Sequence, residues 1–283
     1  MPDWSGSKRS KRRDARVTLS VCATPIGNLE DVTLRVLREL AEADLVLCED
    51  TRRTRILLER HRISARLLSY HEHNEAQRVG EVLPRLLAGE RVALVSDAGL
   101  PAVSDPGARL IAAALGAGVP VTVLPGASAV ETALVASGFV TDRYQFFGYL
   151  PRGEKALAAL WAELRSRPWA VVAFESPQRL PATLRSLAAA LPERPIAVCR
   201  ELTKRFEEVV RGTAAGVAER FREPAKGEIT LVIGAGEPEP VDVSDAVAAV
   251  AELVAAGAAR RTAADVVARI SGASRNALYR RSL

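Results

Sequence analysis

Between residues 17 and 126, short runs of β-branched and aliphatic residues alternate with stretches of helical length and periodicity. The runs cover residues 17–23, 45–50, 65–70, 91–97 and 119–126. Strands that alternate with amphipathic helices are typical of a parallel α/β sheet, because parallel neighbours are joined by crossovers. Ligands of such sheets bind at the carboxyl ends of the strands. We therefore expect functional side chains in the turns that follow these runs.

The second half of the chain contains strand-like runs in a different arrangement. They cover residues 143–151, 169–176, 195–203, 206–212 and 227–236. The short gap between the third and the fourth run predicts a hairpin, and hence a mixed sheet. We place a domain boundary after Pro125-Gly126, because its turn chemistry breaks the chain. The predicted α/β domains are residues 17–126 and 127–236.

Both ends of the chain carry positive charge. Residues 1–16 hold six basic and two acidic residues. We expect a disordered arm that suits a polyanion such as nucleic acid, although a plain solvated tail explains the same composition. After Gly236 a Pro-rich linker leads to residues 241–283, where the pattern predicts a small arginine-rich, helix-turn-helix-like tail. Such tails occur in nucleic-acid binding and as plain packing units, so both roles stay open.

Composition limits the class of protein. The chain has 283 residues, 48% hydrophobic and 26% charged, which is typical of a globular protein with room for two cores. No apolar run of the sequence approaches the roughly 20 residues that span a membrane, and no signal-peptide pattern follows the basic N-terminus. We therefore expect a cytoplasmic protein. Its three cysteines lack CxxC spacing and its histidines are few, so we expect reduced thiols and no metal site.

Charged residues follow the second run at the point where it ends. Glu49 and Asp50 leave the run together, and Arg52 and Arg53 follow at the predicted start of a helix. The four side chains fit a structural ion-pair network in which Asp50 or Thr51 caps the helix. They equally fit a polar site for a phosphate-bearing substrate.

Histidines crowd the end of the third run. His71 and His73 precede Asn74 and Gln77, which form a capping-box pattern. The capping box explains the asparagine but not the two imidazoles. Because an imidazole is suited to proton transfer near neutral pH, a functional and a structural role are both open.

The fourth run ends in the first of two Ser-Asp pairs that lie eight residues apart. Asp105 precedes a proline, a pattern typical of a helix N-cap, so local rules account for the second pair. The first pair, Ser96-Asp97, is too distant to cap that helix. We interpret Asp97 as the side chain best placed to meet a cationic ligand group. After the fifth run, Ser128 and Glu131 form another capping box, at a helix N-terminus that can also hold a carboxylate.

Eight motifs occur in a characteristic order and spacing: TPIGNLEDVT (24–33), CEDTRRT (48–54), HEHNE (71–75), LVSDAGLPAVSDPG (94–107), LPGASA (124–129), FESPQRL (174–180), RELTK (200–204) and RNALYR (275–280). Together they resemble the bacterial small-subunit ribosomal RNA (cytidine-2′-O)-methyltransferase I family of the tetrapyrrole methylase superfamily, over about residues 17–283. The chain departs from the pattern at Leu100, where the family commonly has Thr, and in GASA, where Pro and Cys often occur.

The resemblance implies two α/β domains with S-adenosylmethionine bound in the cleft between them, and a homodimer. It implies methylation of the ribose 2′-hydroxyl of a cytidine in the decoding region of 16S rRNA, either free or in the small ribosomal subunit. The implied cofactor contacts are Pro25, Ser96, Asp97, Ala98, Gly99, Val103, Ser128, Ala129, Glu175, Arg200 and Glu201.

In-line methyl transfer depends mostly on orientation, and a base can assist a poorly nucleophilic hydroxyl. The candidates for that base are Glu49, Asp50, His71 and His73, with Asp97 also possible. The candidates for contacts with RNA are Arg52, Arg53, Lys204, Arg275 and Arg280.

Two other functions are compatible with the same residues. A methyltransferase of the superfamily that acts on a tetrapyrrole or a protein side chain has similar loops, but the basic arm and tail argue against a small porphyrinoid acceptor. A non-catalytic nucleic-acid-binding protein fits the tail, but an α/β body with polar strand ends exceeds what a DNA-reading module needs.

Overall fold

The computed structural model describes residues 18–139, 142–236 and 243–283. The predicted basic arm (1–16) and most of the Pro-rich linker lie outside the described residues. The chain divides into a larger compact unit that contains both sheets and a smaller one that includes the C-terminal helices.

The first sheet is parallel, as the alternation of strands and helices predicts. Its strands are β1 (Leu19–Cys22), β2 (Leu45–Cys48), β3 (Leu67–Ser69), β4 (Val92–Val95) and β5 (Val121–Leu124), in the order β3-β2-β4-β1-β5. The helices that follow them are α1 (Leu34–Glu42), α2 (Thr51–Arg60), α3 (Glu75–Leu87), α4 (Ala108–Gly116) and α5 (Ala129–Ser137).

Both faces of this sheet are buried under helices, which explains why its central strands are apolar at nearly every position. Val46 faces the cluster formed by α1 and α2, whereas Leu45 and Leu47 face the cluster formed by α3 and α4. Leu40 of α1 is fully buried in the first cluster. Its replacement by alanine would cost about 2–5 kcal/mol, the range for buried leucines.

The second sheet is mixed, as expected. Its strands are β6 (Tyr144–Tyr149), β7 (Ala170–Glu175), β8 (Pro195–Arg200), β9 (Glu208–Thr213) and β10 (Ile229–Ile233), in the order β6-β7-β10-β8-β9. Strands β6 and β7 pair in parallel, the other neighbours pair antiparallel, and β8 and β9 form the predicted hairpin. The helices that connect these strands along the chain are α6 (Glu154–Leu164), α7 (Leu180–Ala190) and α8 (Ala214–Arg220). Helix α5 follows β5 in the chain but packs on the second sheet through Val130, Ala133 and Leu134.

The C-terminal helices are α9 (Ser244–Ala255), α10 (Arg260–Ser271) and α11 (Arg275–Arg281). They pack around a small core that includes Val250, Ala264 and Leu278. The Ser274 hydroxyl accepts a hydrogen bond from the N–H of Ala277 and so caps α11.

The three cysteines are free thiols in the core of the larger unit. Burial raises the pKa of Cys22 to about 12 and those of Cys48 and Cys199 to about 11. Because the thiolate is the reactive form, these side chains act as apolar packing residues. Within the described ranges, no group of three metal-binding side chains and no helix capable of spanning a bilayer occurs.

Candidate functional site

A cavity of about 760 Å³ opens where the strands of the first sheet end. One wall consists of the turns after β2, β4 and β5. The facing wall consists of residues from β6, β7 and β10 of the second sheet. A second, smaller cavity of about 260 Å³ lies beside it and shares part of its lining, including Arg53, Asp97 and Ala98.

The turn after β4 is held in place by its own hydroxyl and by the turn after β1. The buried Ser96 hydroxyl donates to the carbonyl oxygens of Ala98 and Gly99, at 3.2 and 3.3 Å. The Thr24 hydroxyl donates to the carbonyl oxygen of Ser96 at 3.0 Å, and the backbones of Thr24 and Gly99 pair as a β-bridge. Ser96 therefore shapes the turn, while Asp97, Ala98 and Gly99 line the larger cavity.

Three carboxylates from different turns line the larger cavity: Glu49, Asp97 and Asp105. Burial raises the pKa of Glu49, and the negative charge of Asp97 raises it further. Burial, followed by the charge of Glu49, raises the pKa of Asp105 to about 6, against an opposing hydrogen bond from Ser96. A carboxylate with a raised pKa is a stronger base than an ordinary one.

The prediction that Asp105 caps the next helix is wrong. Helix α4 begins only at Ala108, and Gly107 occupies the N-cap position. The N–H of Gly107 donates to the Glu75 carboxylate at 3.0 Å, so a side chain from α3 takes over the capping role. Ala102 and Ser104 have φ of +69° and +64°, a left-handed loop that delays the helix and places Asp105 in the cavity wall.

The other base candidates have different surroundings. Asp50 caps α2, as the structural alternative predicts, by accepting from the N–H of Arg52 at 2.8 Å. Hydrogen bonds from Arg52 lower the pKa of Asp50 to about 2. His73 is 82% exposed beside Glu72. His71 has a buried Nδ1 that finds no hydrogen-bond partner among the described residues. Asp50, His71 and His73 lie outside the lining of either cavity.

Neither predicted capping box forms as such. The Asn74 side-chain oxygen accepts from the N–H of His71 at 2.9 Å, and its amide donates to the carbonyl of Ser69, so it closes the turn before α3. The Ser128 hydroxyl, at the N-cap of α5, donates to the Glu131 carboxylate and accepts from no N–H of that helix. Ser128 and the neighbouring Ala129 both line the larger cavity, as does Val103.

Glu175 lies in the lining of the larger cavity, but its carboxylate is committed to the protein. It is 2% exposed. It accepts from the Thr183 hydroxyl at 2.6 Å, from Nη2 of Arg179 at 2.9 Å and from the N–H of Ser176 at 2.6 Å. These hydrogen bonds join β7 to α7. Because both carboxylate oxygens are occupied, a cofactor in the cavity would contact other atoms of this region and not the Glu175 carboxylate.

The RELTK segment forms a tightly bonded loop after β8. Arg200 pairs with Glu208 at 3.1 Å. Glu201 accepts from Lys204 and from the N–H of Glu228, each at 2.9 Å. Arg200 and Glu201 lie outside the lining of both cavities, whereas Lys204 lines the smaller one with Pro25. Gly27 is required there, because a Cβ would lie 2.5 Å from Cγ of Lys204.

The candidate RNA contacts lie in both compact units. Arg52 and Arg53 are exposed at the start of α2, and Arg53 also lines both cavities. In the C-terminal unit, Arg275 lies 3.5 Å from Asp265 across α10 and α11, and Arg280 is exposed.

Sequence reasoning missed three kinds of lining residue. The SDPG context of Asp105 satisfies local capping rules and so conceals its place in the cavity wall. The aromatic side chains Tyr149, Phe146 and Phe174 lie in predicted strands, and strand propensity alone accounts for them. The alternation in YQFFGY, with aromatic residues on both faces of one strand, is the signal that could have identified them. Glu228, which lines both cavities, follows a turn and carries no local signal.

The lining of the larger cavity is strongly acidic. It contains Glu49, Asp97, Asp105, Glu131, Glu175 and Glu228 against one arginine, Arg53. Charges of one sign in a concave site focus the field and raise the local concentration of ligands of the opposite sign. The cavity therefore favours a cationic ligand, and its volume falls within the range of about 300–1,000 Å³ that is typical of small-molecule sites.

Comparison with known proteins agrees with this geometry. Residues 18–218 match the family of tetrapyrrole (corrin/porphyrin) methylases. A Halalkalibacterium halodurans protein named ribosomal RNA small subunit methyltransferase I is 42% identical over 236 residues, 82% of each chain. A Mesorhizobium japonicum protein of that name is 42% identical over 285 residues, 98% of this chain and 95% of its own.

Among solved structures, uroporphyrin-III C-methyltransferase from Thermus thermophilus, complexed with S-adenyl homocysteine, matches with a TM-score of 0.53 and 21% identity. The match covers 76% of this chain and 96% of that one. At that level of identity the likeness concerns the fold: two α/β sheets in one compact unit.

Proposed function

We propose that this chain, which belongs to the tetrapyrrole (corrin/porphyrin) methylase family, transfers a methyl group from S-adenosylmethionine to RNA of the small ribosomal subunit. The observation that carries the proposal is the acidic cavity at the strand ends, whose lining suits a cationic ligand and includes the carboxylates of Glu49, Asp97 and Asp105. The relatives at 42% identity support the choice of RNA as the acceptor.

The residues of the cavity fit S-adenosylmethionine, whose sulfonium and ammonium groups are cationic. Asp97, Ala98 and Gly99 would hold it from the turn after β4, with Val103 from the following loop. Ser128 and Ala129 would contact it from the start of α5, where helical N–H groups suit a carboxylate. When bound, the cofactor supplies an electrophilic methyl group.

The acceptor would be a ribose 2′-hydroxyl of a cytidine in the decoding region. A ribose hydroxyl is a poor nucleophile, so removal of its proton assists attack. We assign this step to a carboxylate oxygen of Glu49, with Asp105 as its partner in the same wall. The charge of Glu49 is one cause of the raised pKa of Asp105, after burial, so an ionised Glu49 favours the protonated form of Asp105. Asp50, His71 and His73 are less suited, because their side chains lie outside the cavity lining.

RNA would approach over the basic residues that flank the cavities. Arg53 and Lys204 line the cavities, and the exposed Arg52 precedes Arg53 at the start of α2, so phosphates would pair with these side chains. The basic arm (1–16), Arg275 and Arg280 would add sequence-independent attraction. The resemblance that identified the loops also supports a homodimer, and a ribosomal substrate supports a cytoplasmic location.

The proposal is tested by mapping the methyl groups of 16S rRNA by mass spectrometry in a strain that lacks this chain. One 2′-O-methylcytidine in the decoding region should disappear and return with the wild-type gene. Purified protein should then restore it in vitro on either free 16S rRNA or small subunits. An unchanged methylation map, with methyl transfer to a tetrapyrrole or a protein instead, would contradict the proposal. The absence of any S-adenosylmethionine binding would exclude all methyltransferase functions.

A further inference from the structure

Tyr149 is a large aromatic side chain that is 65% exposed and yet lines the larger cavity. Its ring meets that of Phe174 edge to face, with 5.8 Å between the centroids. Phe174 meets Phe146 in the same way at 5.0 Å. The three rings form a continuous aromatic wall, and Tyr149 is its exposed member. An exposed ring at the end of such a wall is available to stack on a planar ligand.

A bulge at the end of β6 determines where Tyr149 points. Phe146 pairs with Val172 of β7, but the next pair joins Tyr149 to Phe174, so three steps on β6 match two on β7. Gly148 occupies the bulge with φ of +64°, a conformation that residues with a Cβ rarely adopt. Without the extra residue, Tyr149 would lie on the opposite face of the sheet from Phe146. The bulge places both rings on the same face.

The residues that follow Tyr149 are held by the FESPQRL motif. Nη2 of Arg179 donates to the carbonyl oxygen of Leu150 at 2.7 Å and to that of Pro151 at 3.1 Å. The same nitrogen donates to the buried Glu175 carboxylate, which fixes the guanidinium. Glu175 and Arg179 therefore act through the backbone and position Tyr149 at the cavity.

A second exposed apolar side chain, Val103, lines the same cavity from the loop between β4 and α4. It is 46% exposed, and its neighbours Ala102 and Ser104 have left-handed backbones. Ser104 lies close to the bulge, as the spacing shows: a Cβ added to Gly148 would lie 3.4 Å from the hydroxyl oxygen of Ser104. The cavity lining thus combines two exposed side chains, Tyr149 from the second sheet and Val103 from a loop of the first, with the carboxylate of Asp105.

We propose that Tyr149 is the platform on which the base of the target nucleotide stacks, so that its ribose faces Glu49 and Asp105. This inference rests on the proposed function. A nucleotide stacked within a helix cannot turn its sugar into a cavity, so the target nucleotide must unstack from its neighbours. An aromatic face compensates for the lost stacking, and Tyr149 is the ring of the wall with the free surface.

The test uses small ribosomal subunits from a strain that lacks the modification, with S-adenosylmethionine as donor. Initial rates are compared for wild type, Tyr149→Ala, Tyr149→Leu, Tyr149→Phe and the control Leu115→Ala. Leu115 lies on α4, is similarly exposed and is outside the lining of both cavities. Calorimetry measures the cofactor Kd of each variant.

Tyr149→Ala and Tyr149→Leu should raise KM for the subunit about tenfold, while Tyr149→Phe and Leu115→Ala stay near wild type. The cofactor Kd should change less than twofold. A wild-type KM in Tyr149→Leu would show that apolar contact is sufficient without stacking, and it would overturn the proposal. A weaker cofactor Kd with unchanged KM would assign the ring to the cofactor and also overturn it. A wild-type protein without turnover would refute the proposed function itself, whereas normal turnover by Tyr149→Ala would refute only the platform.

Discussion

The Asp97 carboxylate accepts a hydrogen bond of 3.0 Å from the backbone N–H of Asp50, across the neighbouring ends of β4 and β2. This bond ties the turn that carries Asp97 to the turn that carries Glu49. The other Asp97 oxygen lies 3.5 Å from Nη1 of Arg53. A carboxylate anchored by one oxygen to a rigid strand end is held in position before a ligand arrives.

Replacing Asp97 should weaken cofactor binding. Asp97→Ala removes both the negative charge and the acceptor for the Asp50 N–H, so we expect roughly a tenfold increase or more in the Kd for S-adenosylmethionine, as for a lost charge-assisted hydrogen bond. Asp97→Asn keeps an acceptor oxygen but not the charge, and it separates the two contributions. Calorimetry on folded protein measures both. Wild-type affinity in Asp97→Ala would remove this residue from the cofactor site.

Replacing Glu49 should reduce turnover more than binding. Glu49→Gln retains the shape of the side chain but cannot accept a proton, and general-base catalysis is worth about 10²–10⁴-fold in rate. In wild type, kcat should rise with pH as the carboxylate pair loses its proton, near pH 6 for Asp105.

The charge of Glu49 is one cause of the raised pKa of Asp105. The rising part of the residual pH–rate profile of Glu49→Gln should therefore shift to lower pH. Profiles measured by single-turnover methyl transfer decide this. An unshifted profile with normal kcat would show that neither carboxylate takes part in proton transfer.

Asp105 also makes stability depend on pH. Its folded-state pKa of about 6 exceeds its ordinary value of 3.8, so the folded state binds the proton more tightly than the unfolded state. The resulting stabilisation is complete below the unfolded pKa and is lost as pH rises through about 6. An asparagine does not titrate, so Asp105→Asn does not lose this stabilisation as pH rises. The Tm of the variant minus the Tm of wild type should therefore increase from about pH 4 to about pH 7. The exposed control Asp31→Asn should show no such trend. Parallel Tm curves for Asp105→Asn and wild type would contradict the shift.

Glu75 should stabilise the loop that carries Asp105. Its Oε1 accepts from the N–H of Gly107 at 3.0 Å and from the Tyr70 hydroxyl at 2.9 Å. Glu75→Ala leaves both donors without this acceptor, and each unsatisfied buried donor costs about 1–3 kcal/mol. Urea unfolding should show that loss, while Glu81→Ala, an exposed change on the same helix, should cost less than about 0.5 kcal/mol. Equal stability of the two variants would argue against Glu75 as the cap of α4.

Removing residues 1–16 should weaken RNA binding and leave cofactor binding unchanged. The segment holds six basic residues. For single-stranded RNA, each phosphate that the shortened protein no longer neutralises reduces the slope of log K against log salt by about 0.7. Binding to a decoding-region RNA between about 50 and 200 mM salt, together with the cofactor Kd, checks this. An unaltered salt slope would show that the arm does not neutralise phosphates.

The strands of both sheets could be predicted from the sequence because burial imposes a local pattern on each run. β4 is apolar at every position since helices cover both faces of its sheet. The mixed second sheet followed from the short connection before β9, which favours a hairpin. The motif-bearing turns, including Ser96-Asp97, could be located for the same reason: each lies directly after a strand.

Local capping patterns identified the partner of the capping side chain at only some of the helix starts. Asp50 caps α2, which was one of the alternatives open for it, by accepting from the N–H of Arg52 two residues away. Asn74 and Ser128 have equally suitable sequence contexts, yet their side chains bond to other groups of the turn or to Glu131. The choice among such partners depends on loop geometry, which residue types alone do not specify.

By itself the sequence determined the order of strands and helices, the parallel first sheet and the sheet edge at which the candidate functional residues lie. Only the tertiary structure decided which side chains meet in the cavity. It placed Asp105 and Glu49 in the lining of one cavity, paired Glu175 with Arg179 and exposed Tyr149 at a bulge. The reason is physical: periodicity is set by neighbours along the chain, whereas the cavity lining combines residues of separate strands and turns, which meet only when the chain has folded.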